Sequence, residues 1–523
     1  MKRLLPGATL AALLFSASAP AAPPRDLDAF VAQAMKTFGP PGMSVAVVEN
    51  GKTVLAKGYG VRSIATHAPV NEHTAFPIGS ETKAFTTAAL AILVDEGKLK
   101  WTDRVVDKLP GFQMYDPYAT QHMTIRDLLT HRSGLGLGEG DLLITPSTTR
   151  SRADIVHALR ALKPVTGFRE TFAYDNILYI VAGTLVEAVS GETWEHFVEK
   201  HIFAPVGMKD ATTAYHLDAK NGIALHARTD GPIRGVGPQR ILLHGLEGGA
   251  SAPAGAINAS AVDMGLWMQV QLAHGKLPNG GHLFSEKQSD EMWNPVVVVA
   301  PDSFGAAASA VMEALSPKFQ DYGLGWFIEN YHGHTIVEHT GAVLGAVSAL
   351  YLIPEKNVGI ATMINSEDGA ARRAVAFHLM DYYLGVPDQD WNHKLKALVD
   401  TLVASGAKAL KSQPEQVNAG GKSLLPMNAY AGVYRDAWYG TATVSERGGK
   451  LWLKFDRTPG MEGPLEHTAG DTFKAVWTDK TIEDAYMKFD VTGGKVAKVE
   501  MWPVSPLADF SFDYRDLHFV PVH

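Results

Sequence analysis

Phe76-Pro77-Ile78-Gly79-Ser80-Glu81-Thr82-Lys83 begins a long apolar run, Ala84–Val94, whose spacing is typical of a buried helix. Ser80 and Lys83 stand three residues apart, so on a helix they share one face with Cβ atoms ~5–6 Å apart. A serine is a weak nucleophile at its ordinary acidity, and a partly buried lysine loses its proton more easily than one in water. The pair therefore predicts a serine nucleophile with a lysine base. Alone, the same spacing also fits an N-cap serine followed by a solvated lysine.

Two further short motifs stand next to predicted elements. Tyr174-Asp175-Asn176 comes directly before an apolar helical stretch, Ile177–Val189, and His339-Thr340-Gly341 lies between two β-rich stretches. Their occurrence in the same chain makes a chance match at Ser80 a poor explanation. The sequence suggests no chemical role for Asp175, which is expected only to cap the helix that follows it.

In this order, Ser80-x-x-Lys83, Tyr174-x-Asn176 and His339-Thr340-Gly341 resemble the three motifs of class C β-lactamases, DD-peptidases and D-aminopeptidase-like enzymes. These enzymes belong to the penicillin-recognising, serine β-lactamase-like superfamily. The likeness spans roughly residues 27–385 by motif order. Supporting segments with the same likeness are Met123–Leu135, Ile202–Met208 and Tyr322–Trp326.

The resemblance implies a catalytic set and a substrate-binding set. Ser80 would be the acylated nucleophile, and Lys83 and Tyr174 would share the proton relay. Asn176 would bind the amide side of the substrate. His339, Thr340 and Gly341 would line the opposite wall along an edge strand. An oxyanion hole would be formed by the backbone N–H groups of Ser80 and of a residue near Val343. Such donors stabilise the tetrahedral state by ~3–4 kcal/mol each. No cofactor and no metal ion is implied.

His339 departs from the commonest pattern, because most β-lactamases carry lysine at this position. A histidine is only partly cationic near neutral pH, so it holds a substrate carboxylate less firmly than lysine does. Among relatives, histidine here is more typical of DD-carboxypeptidases, D-amino-acid peptidases and some esterases. We therefore expect His339 to recognise a carboxylate through an imidazolium that titrates near ~6.5, or else only to hydrogen-bond within the strand edge.

The pattern of apolar residues predicts an α+β fold for the first domain. Two β-branched runs surround Asn50-Gly51 within residues 43–60, which is a strong hairpin signal. Further strands are predicted late in the domain, at Thr335–Glu338, Ser348–Ile353 and Val358–Ile364, and the chain between is mostly helical. An antiparallel sheet built from both ends of the domain, flanked by helices and carrying an inserted helical lobe, satisfies this order.

The chain after residue 385 changes character. A helix is predicted over Trp391–Ala404, followed by a polar linker over Ala407–Ser423. Short alternating strands with Gly-Gly turns follow, and they resemble the lipocalin-like domain appended to some relatives. The predicted organisation is therefore a signal peptide (1–21), a β-lactamase-like domain (27–385), a helix and linker (386–423) and a small antiparallel β-barrel-like domain (424–523).

The N-terminus and the overall charge restrict location and partners. Lys2 and Arg3 precede an apolar run and the small residues Ala19-Pro20-Ala21, the order of a secretory signal, and this run is shorter than the ~20 residues of a membrane span. We expect a periplasmic or secreted protein with no stable membrane insertion. The formal charge of −8 disfavours nucleic acid as a partner. With 0 cysteines, thiol catalysis is excluded.

The sequence leaves the substrate open. The favoured hypothesis is a serine peptidase or amidase acting on small or linear peptides, including peptides with D-residues. An esterase or a weak β-lactamase uses the same acylation chemistry, so small esters and β-lactams also fit. A non-catalytic sensor of peptidoglycan or β-lactams is the alternative of another class, and the intact Ser80, Lys83 and Tyr174 argue against it. The sequence does not indicate an oligomeric state.

Overall fold

The computed structural model describes residues 23–213, 221–242, 249–304, 319–412, 417 and 421–522. The predicted signal peptide and parts of the predicted linker lie outside the described residues. In the first domain the strands are β1 (Gly42–Glu49), β2 (Lys52–Gly60), β3 (Phe76–Pro77), β4 (His226–Ala227), β5 (Arg240–Ile241), β6 (Asn258–Ala259), β7 (Val297–Val298), β8 (Gln320–Tyr322), β9 (Phe327–Tyr331), β10 (His334–Val343), β11 (Ala346–Ile353) and β12 (Val358–Ile364).

Eight of these strands form one antiparallel sheet in the order β2-β1-β12-β11-β10-β9-β8-β7. The chain therefore joins strands from both ends of the domain, as the sequence predicted, and β1 pairs with β12 from Met43 opposite Ile364 to Glu49 opposite Val358. The hairpin is also confirmed, since Asn50 and Gly51 have φ of 50° and 74°, as a tight turn between β1 and β2 requires. The eight residues of β1 are all buried because the sheet is covered on both faces.

Helices cover both faces of the sheet. They are α1 (Leu27–Phe38), α2 (Thr82–Asp95), α3 (Val105–Lys108), α4 (Pro117–His122), α5 (Ile125–Leu128), α6 (Arg152–Ala158), α7 (Ile177–Ser190), α8 (Trp194–Val198), α9 (Ala204–Val206), α10 (Ala252–Gly255), α11 (Ala261–Leu272), α12 (Glu286–Trp293), α13 (Gly369–Leu384) and α14 (Trp391–Lys411). One face packs against α1, α13 and the start of α14, the other packs against α11 and α2, and α7 packs against α2. The last helix runs to Lys411, beyond the predicted end at Ala404, so the polar stretch begins as helix.

The C-terminal domain is a nearly closed antiparallel barrel. Its strands are β13 (Gly432–Asp436), β14 (Gly440–Arg447), β15 (Lys450–Phe455), β16 (Glu462–Ala469), β17 (Thr472–Ala475), β18 (Ala485–Thr492), β19 (Lys495–Pro503) and β20 (Val520–Pro521), in the order β19-β18-β17-β16-β15-β14-β13-β20. A bridge between Val499 and Phe519 links its two ends. Trp438 and Tyr439 are buried in the barrel core, which agrees with the usual place of aromatic residues in small barrels.

The barrel packs directly against the first domain. Asp513 accepts hydrogen bonds from the backbone N–H groups of Gly140 (2.7 Å) and Leu142 (3.0 Å). The guanidinium of Arg150 lies 4.3 Å from the centre of the Tyr439 ring, and Arg457 forms an ion pair with Asp154 at 3.0 Å. These contacts join the two domains where residues 140–154 meet the barrel. Among the described residues, no helix is both long enough and apolar enough to span a bilayer.

Candidate active site

Ser80 lies at the junction of a short strand and a helix. The strand β3 pairs with β6, Ile78 donates a backbone hydrogen bond to Ile257 (2.9 Å), and a 3₁₀ turn, Gly79–Glu81, leads into α2. Strand β10 presses against this turn, because a Cβ atom added to Gly341 would lie 1.8 Å from the carbonyl oxygen of Ile78. Glycine is therefore required at 341, and the contact brings the third motif beside Ser80.

Lys83 is completely buried one helical turn after Ser80. Its Nζ lies 2.9 Å from Ser80 Oγ, 2.7 Å from Asn176 Oδ1 and 3.0 Å from the carbonyl oxygen of Ala254. The orientation of the Asn176 amide is set by Asp141, which accepts from Nδ2 at 2.8 Å. The first and second motifs therefore meet at one amine.

The three partners of Lys83 differ in what they can do. The oxygens of Asn176 and Ala254 can only accept hydrogen bonds, whereas the Ser80 hydroxyl can donate or accept. A neutral amine has two hydrogens and one lone pair. When Lys83 is neutral, its two hydrogens are directed at the two obligate acceptors and its lone pair is directed at the Ser80 hydroxyl, which is the arrangement that a general base needs.

Burial lowers the pKa of Lys83 to about 7, even though the carboxyl groups of Asp141 and Asp175 act in the opposite direction. Desolvation disfavours the charged amine, so a large fraction of the lysine is neutral near neutral pH. The same burial raises the pKa of both carboxyl groups to about 7, although Lys83 acts to lower the pKa of each.

Tyr174 completes the group around the nucleophile. Tyr174 lines the same cavity as Ser80, and burial holds the pKa of its hydroxyl well above the ordinary value although Ser80 acts to lower it, so the hydroxyl stays protonated. The centre of its ring lies 4.8 Å from Lys83 Nζ and is stacked on His131 at 4.2 Å. Tyr174 therefore contacts both Ser80 and Lys83 from one side of the pocket.

Asp175 and His131 support the Tyr174 segment from behind. Asp175 is buried, and its carboxylate accepts from the backbone N–H of Leu178 and from the Ser133 hydroxyl, each at 3.2 Å. Asp175 thus satisfies one free N–H of the first turn of α7, although the N-cap residue itself is Asn176. His131 Nδ1 accepts from the backbone N–H of Asp175 at 3.1 Å. Its position was not predicted, because a residue 43 positions before Tyr174 carries no sign of that contact in a single sequence.

His339 is buried behind the pocket rather than displayed in it. Nδ1 donates to the carbonyl oxygen of Thr340 at 2.6 Å, and Nε2 accepts from the Tyr322 hydroxyl at 3.1 Å. Burial, aided by the nearby Lys83, lowers the pKa of His339 to about 3. Of the two expectations for His339, the imidazolium that titrates near ~6.5 is therefore wrong, because its surroundings provide no solvation for a charged ring, and the hydrogen-bonding role fits the structure.

A neutral His339 leads to a simple expectation for pH dependence. For a substrate with a terminal carboxylate and for the matching amide, we expect the ratio of the two kcat/KM values to stay constant from about pH 5 to 8, the range in which an ordinary histidine titrates. Steady-state kinetics on one such pair measures the ratio. A loss of the carboxylate preference as the pH rises through this range would restore the imidazolium hypothesis.

The third motif contributes backbone rather than side chains to the site. Strand β9 pairs with β10 only from His334 to Glu338, so the strand beyond Glu338 has no described ladder partner on that side. Ala342 is the residue next to the Ser80 turn, since a Cβ on Gly79 would lie 2.5 Å from the Ala342 nitrogen. Val343 is buried and lines a neighbouring cavity instead. The second oxyanion donor, expected near Val343, is therefore better assigned to the backbone N–H of Ala342, one residue earlier.

A cavity of about 110 Å³ lies over Ser80 at the junction of the two domains. Its described lining comprises Ser80, Ile144, Thr145, Tyr174, Asn176, Ser251, Ala254, Gly255, Ala342, Asp509, Phe510 and Ser511. The last three residues belong to the barrel domain, and this contribution was not predicted. Lys83 lies behind the cavity wall, and His339, Thr340, Gly341 and Val343 are not among the described residues that line it.

Asp141 is a further residue that the sequence did not single out. It is fully buried, and it begins a 3₁₀ turn, Asp141–Leu143, directly after the glycine-rich stretch Gly134–Gly140. Gly138 and Gly140 have φ of 69° and 89°, values that favour glycine. Within the described residues, no group of three His, Asp or Glu side chains is arranged to hold a metal ion.

A serine hydrogen-bonded to a buried lysine at the start of a buried helix, beside an antiparallel sheet with helices on both faces, is the arrangement of a serine hydrolase of the β-lactamase and transpeptidase type. Residues 27–384 match the β-lactamase family, and the chain belongs to that family. Residues 417–521 match a domain of unknown function, DUF3471.

Known proteins and structures agree with this assignment. The chain is 28% identical over 479 residues to unguisins hydrolase ungD of Aspergillus violaceofuscus, covering 86% of this chain and 82% of that protein. It is 26% identical to protein flp of Staphylococcus aureus, covering 62% and 59% of the two chains. Its fold is similar to the octameric penicillin-binding protein homologue from Pyrococcus abyssi, with TM-score 0.59, 22% identity and coverage of 95% and 99%. It is also similar to the structure of a penicillin-binding protein from Bacillus halodurans, with TM-score 0.54 and 22% identity, and this match covers 67% of this chain and 98% of that chain.

Proposed function

We propose that this serine hydrolase is a peptidase or amidase that acts through an acyl-enzyme on Ser80, on small or linear peptides that include D-residues. The observation that carries the proposal is the contact of 2.9 Å between Ser80 Oγ and a buried amine whose other two partners can only accept hydrogen bonds. This arrangement directs the lone pair of a neutral Lys83 at the proton that must be removed.

In acylation, Ser80 Oγ forms a bond to the substrate carbonyl carbon as its proton passes to Lys83 Nζ. The backbone N–H groups of Ser80 and Ala342 stabilise the oxyanion that develops. The C–N bond then breaks, and the proton returns from Lys83 through the Tyr174 hydroxyl to the leaving nitrogen. Water, activated by the same pair, hydrolyses the ester of Ser80 and restores the enzyme.

The shape of the site supports an extended substrate. A second cavity, of about 300 Å³, adjoins the Ser80 cavity and shares Thr145, Ala342, Asp509 and Ser511 with it. Substrate chain that leaves Ser80 past Ala342 would therefore enter the seam between the two domains. The relative named unguisins hydrolase is by that name a hydrolase of unguisins, which is consistent with hydrolytic use of this site.

The N-terminal sequence supports export, so we propose a periplasmic or secreted location for this activity. The substrate would then be a peptide or ester present outside the cytoplasm. Mass spectrometry of the N-terminus of the protein recovered from the native cell tests this. Cleavage near Ala21 is the expected result, and an intact Met1 in a cytoplasmic fraction would contradict it.

The experiment that tests the activity is intact-mass measurement after reaction with a fluorophosphonate and, separately, with a fluorescent penicillin. It is followed by a matched panel of D- and L-peptides, their esters and cephalosporins. Labelling at Ser80 with preferential turnover of peptides is expected. Turnover of esters or cephalosporins without peptides would assign the chain to those substrates instead, and a protein that is labelled by penicillin but turns nothing over would be a sensor.

The low pKa of Lys83 predicts the acid limb of the pH profile. We expect kcat/KM to rise with pH and to level off above about 7, because the base is active only when it has lost its proton. A neutral peptide substrate should be used, so that no substrate group titrates in the same range. A flat profile across this region would show that Lys83 is not the base whose protonation limits acylation.

A further inference from the structure

A continuous line of hydrogen bonds runs from the catalytic lysine to the barrel domain. Lys83 Nζ donates to Asn176 Oδ1 at 2.7 Å, and Asn176 Nδ2 donates to Asp141 Oδ2 at 2.8 Å. The Ser511 hydroxyl donates to the same oxygen, Asp141 Oδ2, at 2.7 Å. Ser511 lies between β19 and β20, so the last donor in the line comes from the other domain.

The barrel also holds the backbone around Asp141. The two carboxylate oxygens of Asp513 accept from the N–H groups of Gly140 and Leu142, the residues on either side of Asp141. Asp513 is itself buried. Both the side chain and the backbone of Asp141 are thus held from the barrel, while its other oxygen, Oδ1, has no hydrogen-bond partner among the described residues.

We propose that the barrel segment Ser511–Asp513 positions Lys83 for catalysis, by holding Asp141 and, through it, the amide of Asn176. This inference rests on the proposed role of Ser80 and Lys83 and extends it to the second domain. Asn176 has two conformers of similar shape, related by a flip of its amide, and only one of them presents an oxygen to Lys83. An acceptor at Asp141 selects that conformer, because it requires Nδ2 to point away from the lysine.

The charge of Asp141 links the segment Ser511–Asp513 to the pKa of Lys83. The ionisable groups that face Asp141 are Lys83, Tyr174, Asp509 and Asp513. Burial raises the pKa of Asp141, and the hydrogen bonds from Ser511 and Asn176 lower it. If the Ser511 hydroxyl is removed, Asp141 keeps its proton to higher pH, and a neutral Asp141 no longer stabilises the Lys83 ammonium. The acid limb of Ser80 reactivity should therefore move to lower pH.

The test compares three variants of the full chain. Ser511→Ala removes the donor, Ser511→Thr keeps a hydroxyl, and Arg515→Ala changes an exposed side chain two residues beyond the segment as a matched control. The second-order rate of Ser80 labelling by a neutral fluorophosphonate is measured from about pH 5 to 9. For Ser511→Ala we expect about tenfold slower labelling at the plateau, the effect of losing one hydrogen bond to a charged group, together with an acid limb at lower pH.

Ser511→Thr should recover most of the plateau labelling rate and the wild-type position of the acid limb of the pH profile. Arg515→Ala should match the wild type in both quantities. A Ser511→Ala profile that equals the wild type would overturn the inference, and so would a slower rate with an unmoved limb, which is the sign of a merely structural role. Should the alanine variant unfold, Ser511→Cys keeps the size of the side chain with a weaker donor and is read by the same criteria. Failure of the peptide panel with labelling intact would overturn the proposed substrate class alone, because labelling reports Ser80 and Lys83 without a peptide.

Discussion

Ser80→Ala is expected to abolish covalent labelling and to reduce turnover on the order of 10⁴- to 10⁶-fold, the range found when an activated serine is removed. The loss follows from the geometry, since Ser80 Oγ is the partner of Lys83 that can donate a proton. The fold should persist. Ser80 is only partly buried, and after its removal Lys83 keeps the oxygens of Asn176 and Ala254 as partners.

Intact-mass spectrometry after fluorophosphonate treatment measures the labelling, and circular dichroism melting checks the fold. Ser412→Ala is the matched control, because Ser412 is exposed at the end of α14 and far along the chain from the site. That variant should be labelled like the wild type. Stoichiometric labelling of the Ser80→Ala variant at Ser251, Ser511 or any other serine would contradict the assignment of Ser80 as the nucleophile.

Lys83→Met and Tyr174→Phe are each expected to slow acylation by about 10³-fold or more, and the double variant should be little slower than either one. The two side chains act on one proton: Lys83 takes it from Ser80, and Tyr174 contacts both partners at once. Because the loss of either side chain already breaks the proton relay, removing the second one should slow acylation little further. Single-turnover acylation rates for the four proteins provide the double-mutant cycle.

Tyr179→Phe is the matched control for this cycle. The Tyr179 ring also lies near Lys83, with 5.3 Å between Nζ and the ring centre, but its hydroxyl donates to the carbonyl oxygen of Leu129 at 2.8 Å. Removal of the Tyr179 hydroxyl should lower the free energy of unfolding by about 1–3 kcal/mol, as for a buried hydrogen bond, while the acylation rate stays within about tenfold of the wild type. Losses of Lys83 and Tyr174 that simply add would contradict a shared relay.

Local patterns predicted the elements around the site with some accuracy. The hairpin at Asn50-Gly51 depends on turn geometry that only a few residues adopt, and the helix after Ser80 depends on a continuous apolar run. Both are properties of neighbouring residues and so are visible in one sequence. The end of the helix that starts at Trp391 was predicted too early, because Ser405-Gly406 does not stop the helix and residues 407–411 are alanine, lysine and leucine, which are good helix formers.

The sequence by itself indicated Ser80 and Lys83 as candidates, because a serine and a lysine three residues apart at the start of a helix share one face, and the resemblance to the family added Tyr174. Only the tertiary structure decided the charge states. Desolvation lowers the pKa of Lys83 to about 7 and that of His339 to about 3, and desolvation is a property of the packed surroundings.

The tertiary structure also decided which distant groups complete the site. Ala342 rather than Val343 faces Ser80, because the register of β10 against the Gly79 turn sets which backbone nitrogen is nearest. Ser511 reaches Asp141 across 370 residues of the chain, with its Oγ 2.7 Å from the carboxylate, and Asp513 accepts from the backbone N–H groups on either side of Asp141. No local pattern encodes such a contact, since it arises only when the barrel packs against the hydrolase domain and brings a hydroxyl to a buried carboxylate.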